Sequence, residues 1–104
     1  MRILVADDAP NILFALSRTL TRWGHEVVTA IDGNDAWEKL QSNDDIRLVI
    51  SDWIMPGMSG PELCQRIRSA DLGRYVYVIL LTGKDARDDF LEGMDAGADD
   101  FVVK

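Results

Sequence analysis

The chain has 104 residues, 11 basic against 18 acidic side chains and a formal net charge of −7. That length suits one domain with a core of its own, and the charge sets the surface against nucleic acid and anionic membranes, so direct contact with either is not expected. A lone cysteine, Cys64, excludes an internal disulfide. No stretch reads as a signal peptide or a spanning helix, so a reduced, cytoplasmic setting is the expectation.

In chain order, an apolar strand near residues 2–6 runs into Asp7-Asp8. Pro10 is placed to open a first helix, in which Ile12, Leu13, Leu16, Leu20 and Trp23 form one stripe until Gly24 ends it. Glu26-Val-Val-Thr-Ala30 is a more mixed run that suits an edge strand, and Ala36, Trp37 and Leu40 mark a second helix. A strand near 47–51 then runs into Asp52. A third helix follows Gly60-Pro61, with Leu63, Cys64 and Ile67 on its apolar face. The strand near 76–81 ends at Thr82; Phe90, Leu91 and Met94 give a fourth helix ending near Gly97, and a last strand over 101–103 ends at Lys104.

Strand-length runs alternating with helical periods predict βαβ units and a doubly wound α/β fold on a five-stranded parallel sheet. Five strands with four helices leave one face short, so residues 1–104 read as a single domain with its last helix missing from this chain. In such a sheet the carboxyl ends of the strands share one edge, where ligands bind. That edge would gather Asp7, Asp8, Asp52, Thr82 and Lys104. Carboxylates this close repel one another by roughly 4 kcal/mol per pair at ~4 Å and an effective dielectric of about 20. A cation must therefore sit among them, and oxygen-only ligands beside a phosphate favour Mg²⁺. With Mg²⁺ and Lys104 present the charges of the three aspartates cancel. An aspartate is a competent nucleophile toward phosphorus, and catalysis of phosphoryl transfer is mostly positioning and charge neutralisation. Thr82 would supply a hydrogen bond and Lys104 a charge to the phosphoryl oxygens.

The runs Val5-Ala6-Asp7-Asp8 with Pro10, Ser51-Asp52-Trp53-Ile54-Met55-Pro56-Gly57 with Gly60, Leu81-Thr82-Gly83, and Gly97-Ala98-Asp99-Asp100-Phe101-Val102-Val103-Lys104 resemble, over the whole chain, the receiver domains of two-component response regulators. The resemblance implies a flavodoxin-like sheet in the order 2-1-3-4-5, and Asp52 as the phosphoacceptor for a histidine kinase or phosphotransfer protein. By the same match Asp8, Asp52 and the backbone carbonyl of Ile54 would bind Mg²⁺ directly and Asp7 through water. Thr82 and Phe101 fall on the switch positions. Ile54 and Lys84, two residues beyond Asp52 and Thr82, would flank the path of the hydrolytic water. Such a domain is not an enzyme in its own right but a phosphoacceptor that assists its own phosphoryl transfer and hydrolysis. It signals to an output domain or effector C-terminal to it, and a homodimer is a further option.

Plainer readings stand beside these. Asp7-Asp8 would suit the N-terminus of a helix, although two acids exceed what a cap needs. Met55-Pro56-Gly57 with Gly60 reads as loop geometry, Cys64 as packing, His25 and Asp99-Asp100 as solvated turn residues, and Phe101 as an ordinary strand aromatic. Among rival functions, a flavin-binding protein needs a hydroxyl- and glycine-rich phosphate loop where Asp7-Asp8 stand. A haloacid-dehalogenase-type phosphatase needs a second acid at the position of Ile54, and a P-loop nucleotide hydrolase needs a G-x-x-x-x-G-K-[ST] motif that the chain lacks. The remaining alternative is a degenerate receiver that only dimerises or docks.

Overall fold

The computed structural model describes residues 1–83 and 94–103. Its strands are β1 (Arg2–Ala6), β2 (Glu26–Ala30), β3 (Ile46–Asp52), β4 (Tyr77–Thr82) and β5 (Asp100–Val103). They form one sheet in the order β2-β1-β3-β4-β5, and every pair is parallel. Sheet order, parallel pairing and all five strand positions agree with the sequence reading, and β2 lies at an edge as its mixed composition suggests.

Three helices are described: α1 (Pro10–Arg22), α2 (Gly33–Ser42) and α3 (Gly60–Ser69). Pro10 opens α1, where its missing N–H costs nothing. The Asp32 carboxylate accepts the Asp35 N–H at 2.7 Å to cap α2. Ser59 and Glu62 form a reciprocal capping box on α3. Of the expected fourth helix, Phe90 and Leu91 lie outside the described residues; Met94–Ala96 are helical and stop at Gly97, whose φ of +95° few other residues adopt.

Alternation along β1 divides the core. Leu4 and Ala6 join Val49, Val78 and Leu80 beneath Ala36 and Leu40 of α2 and Leu63, Cys64 and Ile67 of α3. Ile3 and Val5 face the other way, onto Leu13, Leu16 and Leu20 of α1. The second layer is thinner. Ile12, Ala15 and Leu16 of α1 line, with Leu81 and Val102, an open apolar groove of about 430 Å³. Among the described residues no helix is long and apolar enough to cross a membrane.

Two local expectations need correction. The apolar stripe of α1 includes Trp23 by period, yet Trp23 is 69% exposed. It caps the helix with φ −83° and ψ 6°, beyond the strand surface that α1 covers. Asp99 was read as a solvated turn acid. It instead accepts from Arg68 Nη2 at 2.6 Å, from the Val78 N–H at 2.8 Å and from the Tyr75 hydroxyl, and the Arg68 guanidinium lies 4.7 Å from the centre of the Tyr75 ring. These contacts tie the last turn of α3 and the approach to β5 to the start of β4, at the sheet end away from Asp52.

Candidate functional site

Where β1 and β3 end side by side, their terminal acids converge. Asp7 is fully buried, Asp52 is 8% exposed and Asp8 faces solvent. One carboxylate oxygen from each of the three lies within 4.8 Å of the others, a grouping that could hold a metal ion. All three donors are hard carboxylate oxygens, the type that magnesium, manganese and calcium prefer.

Backbone contacts orient the acids. The Asp7 N–H donates to the Ala30 carbonyl at 3.1 Å, and one Asp7 carboxylate oxygen accepts the Ala9 N–H at 2.9 Å. A carboxylate oxygen of Asp52 accepts the Trp53 N–H at 2.8 Å. The register pairs Asp52 with Leu81 and Thr82 with Val103, so Thr82 ends β4 one step beyond Asp52. Thr82 is 1% exposed, and its hydroxyl donates to the Gly83 carbonyl at 3.3 Å. Phe101, opposite Leu80, packs half-buried against the main core. Lys104 follows the last described residue of β5, and both it and Lys84 lie outside the described residues.

The loop after Asp52 belongs to the same edge. Its ends close through a hydrogen bond from the Gly60 N–H to the Trp53 carbonyl at 2.8 Å. Met55 and Met58 are buried, while Ile54, just before Met55 and two residues beyond Asp52, is 76% exposed. Gly57 has a φ of +80°, and a methyl on Gly60 would lie 2.4 Å from the Asp52 carbonyl, so the sequence reading of this run as loop geometry is right. What that reading missed is the partner of the loop, the first turn of α2; the glycine at position 33 was its only trace in the sequence.

Comparison with known proteins follows this geometry. The sequence profile of the response regulator receiver domain matches residues 3–104. The chemotaxis protein CheY1 of Helicobacter pylori is 34% identical over 100% of this chain and 85% of its own length. The response regulator RppA of Synechocystis is 37% identical and the transcriptional regulatory protein YrkP of Bacillus subtilis 43%, but this chain spans only 44% and 42% of those proteins. Among solved structures, the Vibrio cholerae chemotaxis protein CheY4 superposes with a TM-score of 0.91 at 33% identity, covering 99% of this chain and 85% of that one. A response regulator from Chloroflexus aurantiacus gives 0.92 at 29%, covering 99% and 84%. With fold, length of match and identity in agreement, the chain belongs to the response regulator receiver domain family of two-component systems.

Proposed function

We propose that Asp52 is the phosphoacceptor of this domain and that Mg²⁺ bound by the acid cluster is required for its phosphorylation. The observation that carries this reading is the convergence of Asp7, Asp8 and Asp52 at the ends of adjacent strands, with the buried Thr82 hydroxyl ending the next one. Asp8, Asp52 and the Ile54 carbonyl would hold the ion directly and Asp7 would hold it through water. When bound, Mg²⁺ neutralises charge on the phosphoryl oxygens.

In the transfer step an oxygen of the Asp52 carboxylate attacks phosphorus. The P–N bond of a donor phosphohistidine breaks and the imidazole leaves with the electron pair. The Trp53 N–H, already bonded to the Asp52 carboxylate, restrains the nucleophile, and partial burial strips it of water. Thr82 and Lys104 bind the transferred phosphoryl group, Thr82 as donor and Lys104 as counter-charge. Phe101 turns inward as the Thr82 hydroxyl moves toward that group. The donor is a histidine kinase or phosphotransfer protein, and the signal passes to an output domain or effector in the cytoplasm. The domain catalyses no separate reaction beyond the transfer to Asp52 and its hydrolysis. Incubation with acetyl phosphate tests this: intact mass should rise by one phosphoryl group with Mg²⁺ and not with a chelator. Labelling that is indifferent to the chelator would refute the metal requirement.

A further inference from the structure

Gly33 is the first residue of α2, and its backbone is not in the left-handed region that would by itself demand glycine. Space demands it instead. A methyl group there would lie 2.3 Å from the carbonyl oxygen of Met58 and 2.5 Å from its Cβ. The next residue meets the loop more softly, since a methyl on Gly57 would lie 2.6 Å from the side-chain amide nitrogen of Asn34, which would have to swing aside. The first turn of α2 is thus interlocked with residues 57 and 58, in the loop that leaves Asp52 and carries Ile54. Asp32 fixes that turn by its cap on Asp35, and the buried Met55 and Met58 anchor the loop beneath it.

From this juxtaposition we infer that Gly33 and Gly57 are positioning residues: the close seat of the loop on α2 sets where the Ile54 carbonyl stands relative to Asp8 and Asp52, and so sets metal affinity. The inference rests on the metal reading above and extends it to residues that touch no ligand. Alanine is a better helix former than glycine, so Gly33→Ala has no local reason to weaken α2. Its cost falls on the loop, because the atoms it meets are backbone and Cβ and cannot swing aside. The alternative is that Gly33 matters only to packing, in which case metal affinity follows overall stability and nothing else.

Mg²⁺ titration separates the two, read by Trp53 fluorescence and by calorimetry, with metal-free melting temperatures measured in parallel. Gly33→Ala should bind Mg²⁺ about tenfold more weakly, the scale of outer-shell substitutions at metal sites, while Ile67→Val, a core change in α3 that lowers the melting temperature without touching the loop, should bind as the parent does. Unchanged affinity in a parent that binds Mg²⁺ overturns the positioning role and leaves the metal reading standing. A parent that does not bind overturns both. A second comparison does not depend on how Gly33→Ala folds. Gly57→Ala adds both a strained backbone and the contact with Asn34, and adding Asn34→Ala removes the contact alone. The double variant should recover part of the affinity lost in Gly57→Ala; no recovery contradicts the interlock.

Discussion

The Asp52 carboxylate accepts the backbone N–H of Trp53 at 2.8 Å, which joins the proposed phosphoacceptor to an indole by a single residue. Any ion that draws on Asp52 therefore changes the surroundings of a half-buried fluorophore. Mg²⁺ should alter the emission of the parent, of Trp23→Phe and of Trp37→Phe, and leave Trp53→Phe unresponsive. Asp8→Ala should lose the response with Trp53 intact. A response that survives in Trp53→Phe would place the ion elsewhere.

Far from that edge, Asp99 holds Arg68, Tyr75 and the Val78 N–H together, and the side chains of the Arg68–Asp99 pair are only 25% and 19% exposed. Asp99→Ala removes the counter-charge of a mostly buried guanidinium, which keeps its bonds to the Gly97 and Val76 carbonyls, and frees the Val78 N–H, and should cost about 2 kcal/mol in urea unfolding. The same variant has a spectroscopic signature. The hydrogen bond to Asp99, then burial, raises the Tyr75 phenol above its ordinary 10.0, partly offset by Arg68. Because the folded pKa exceeds the unfolded one, this contribution to stability is complete below about pH 10 and fades as pH rises through the folded value. Alkaline absorbance titration in a Tyr77→Phe background should show a late tyrosine that returns toward normal in Asp99→Ala. A Tyr75 that titrates normally in the parent would contradict the contact.

Ile54, two residues beyond Asp52, is exposed, and its side chain cannot hydrogen-bond, so it cannot orient a water for attack on an acyl phosphate. The phosphorylated domain should lose its phosphate slowly, and switching off should depend on a partner phosphatase or on reverse transfer. Ile54→Asn should speed the loss about tenfold at constant Mg²⁺, equal to about 1.4 kcal/mol off the barrier. Lys84→Glu tests the other position that the resemblance to receiver domains sets beside the water path. Decay at the parent's rate in both variants would remove these side chains from control of the water.

Strand positions were legible because β1, β3 and β4 are nearly continuous apolar runs, each broken by a residue that a buried strand would not carry onward, Asp7, Asp52 and Thr82, whereas the sheet order came from the resemblance to receiver domains. The three acids were legible for the same reason, since parallel topology alone aligns strand ends. What was hidden depends on contacts between distant segments. Arg68 reads as an exposed cation in the last turn of a helix, and Asp99 as one of two turn acids, until the fold sets them 2.6 Å apart across 31 residues. Gly33 carries no conformational signal at all, because its reason is the Met58 backbone pressed against it. Trp23 keeps the apolar period of α1 but is the residue that caps the helix, beyond the strand surface that α1 covers.

The central claim is that the phosphoryl group resides on Asp52, and chemical trapping of the labelled residue tests it most directly. An acyl phosphate is reduced by borohydride, which converts the aspartyl carbon to an alcohol and leaves homoserine in the chain, with phosphate released. After treatment with acetyl phosphate and Mg²⁺, peptide sequencing should find homoserine at position 52 alone, and none in Asp52→Asn. Homoserine at Asp7 or Asp8, or a borohydride-resistant phosphate on Ser51 or Thr82, would contradict the account.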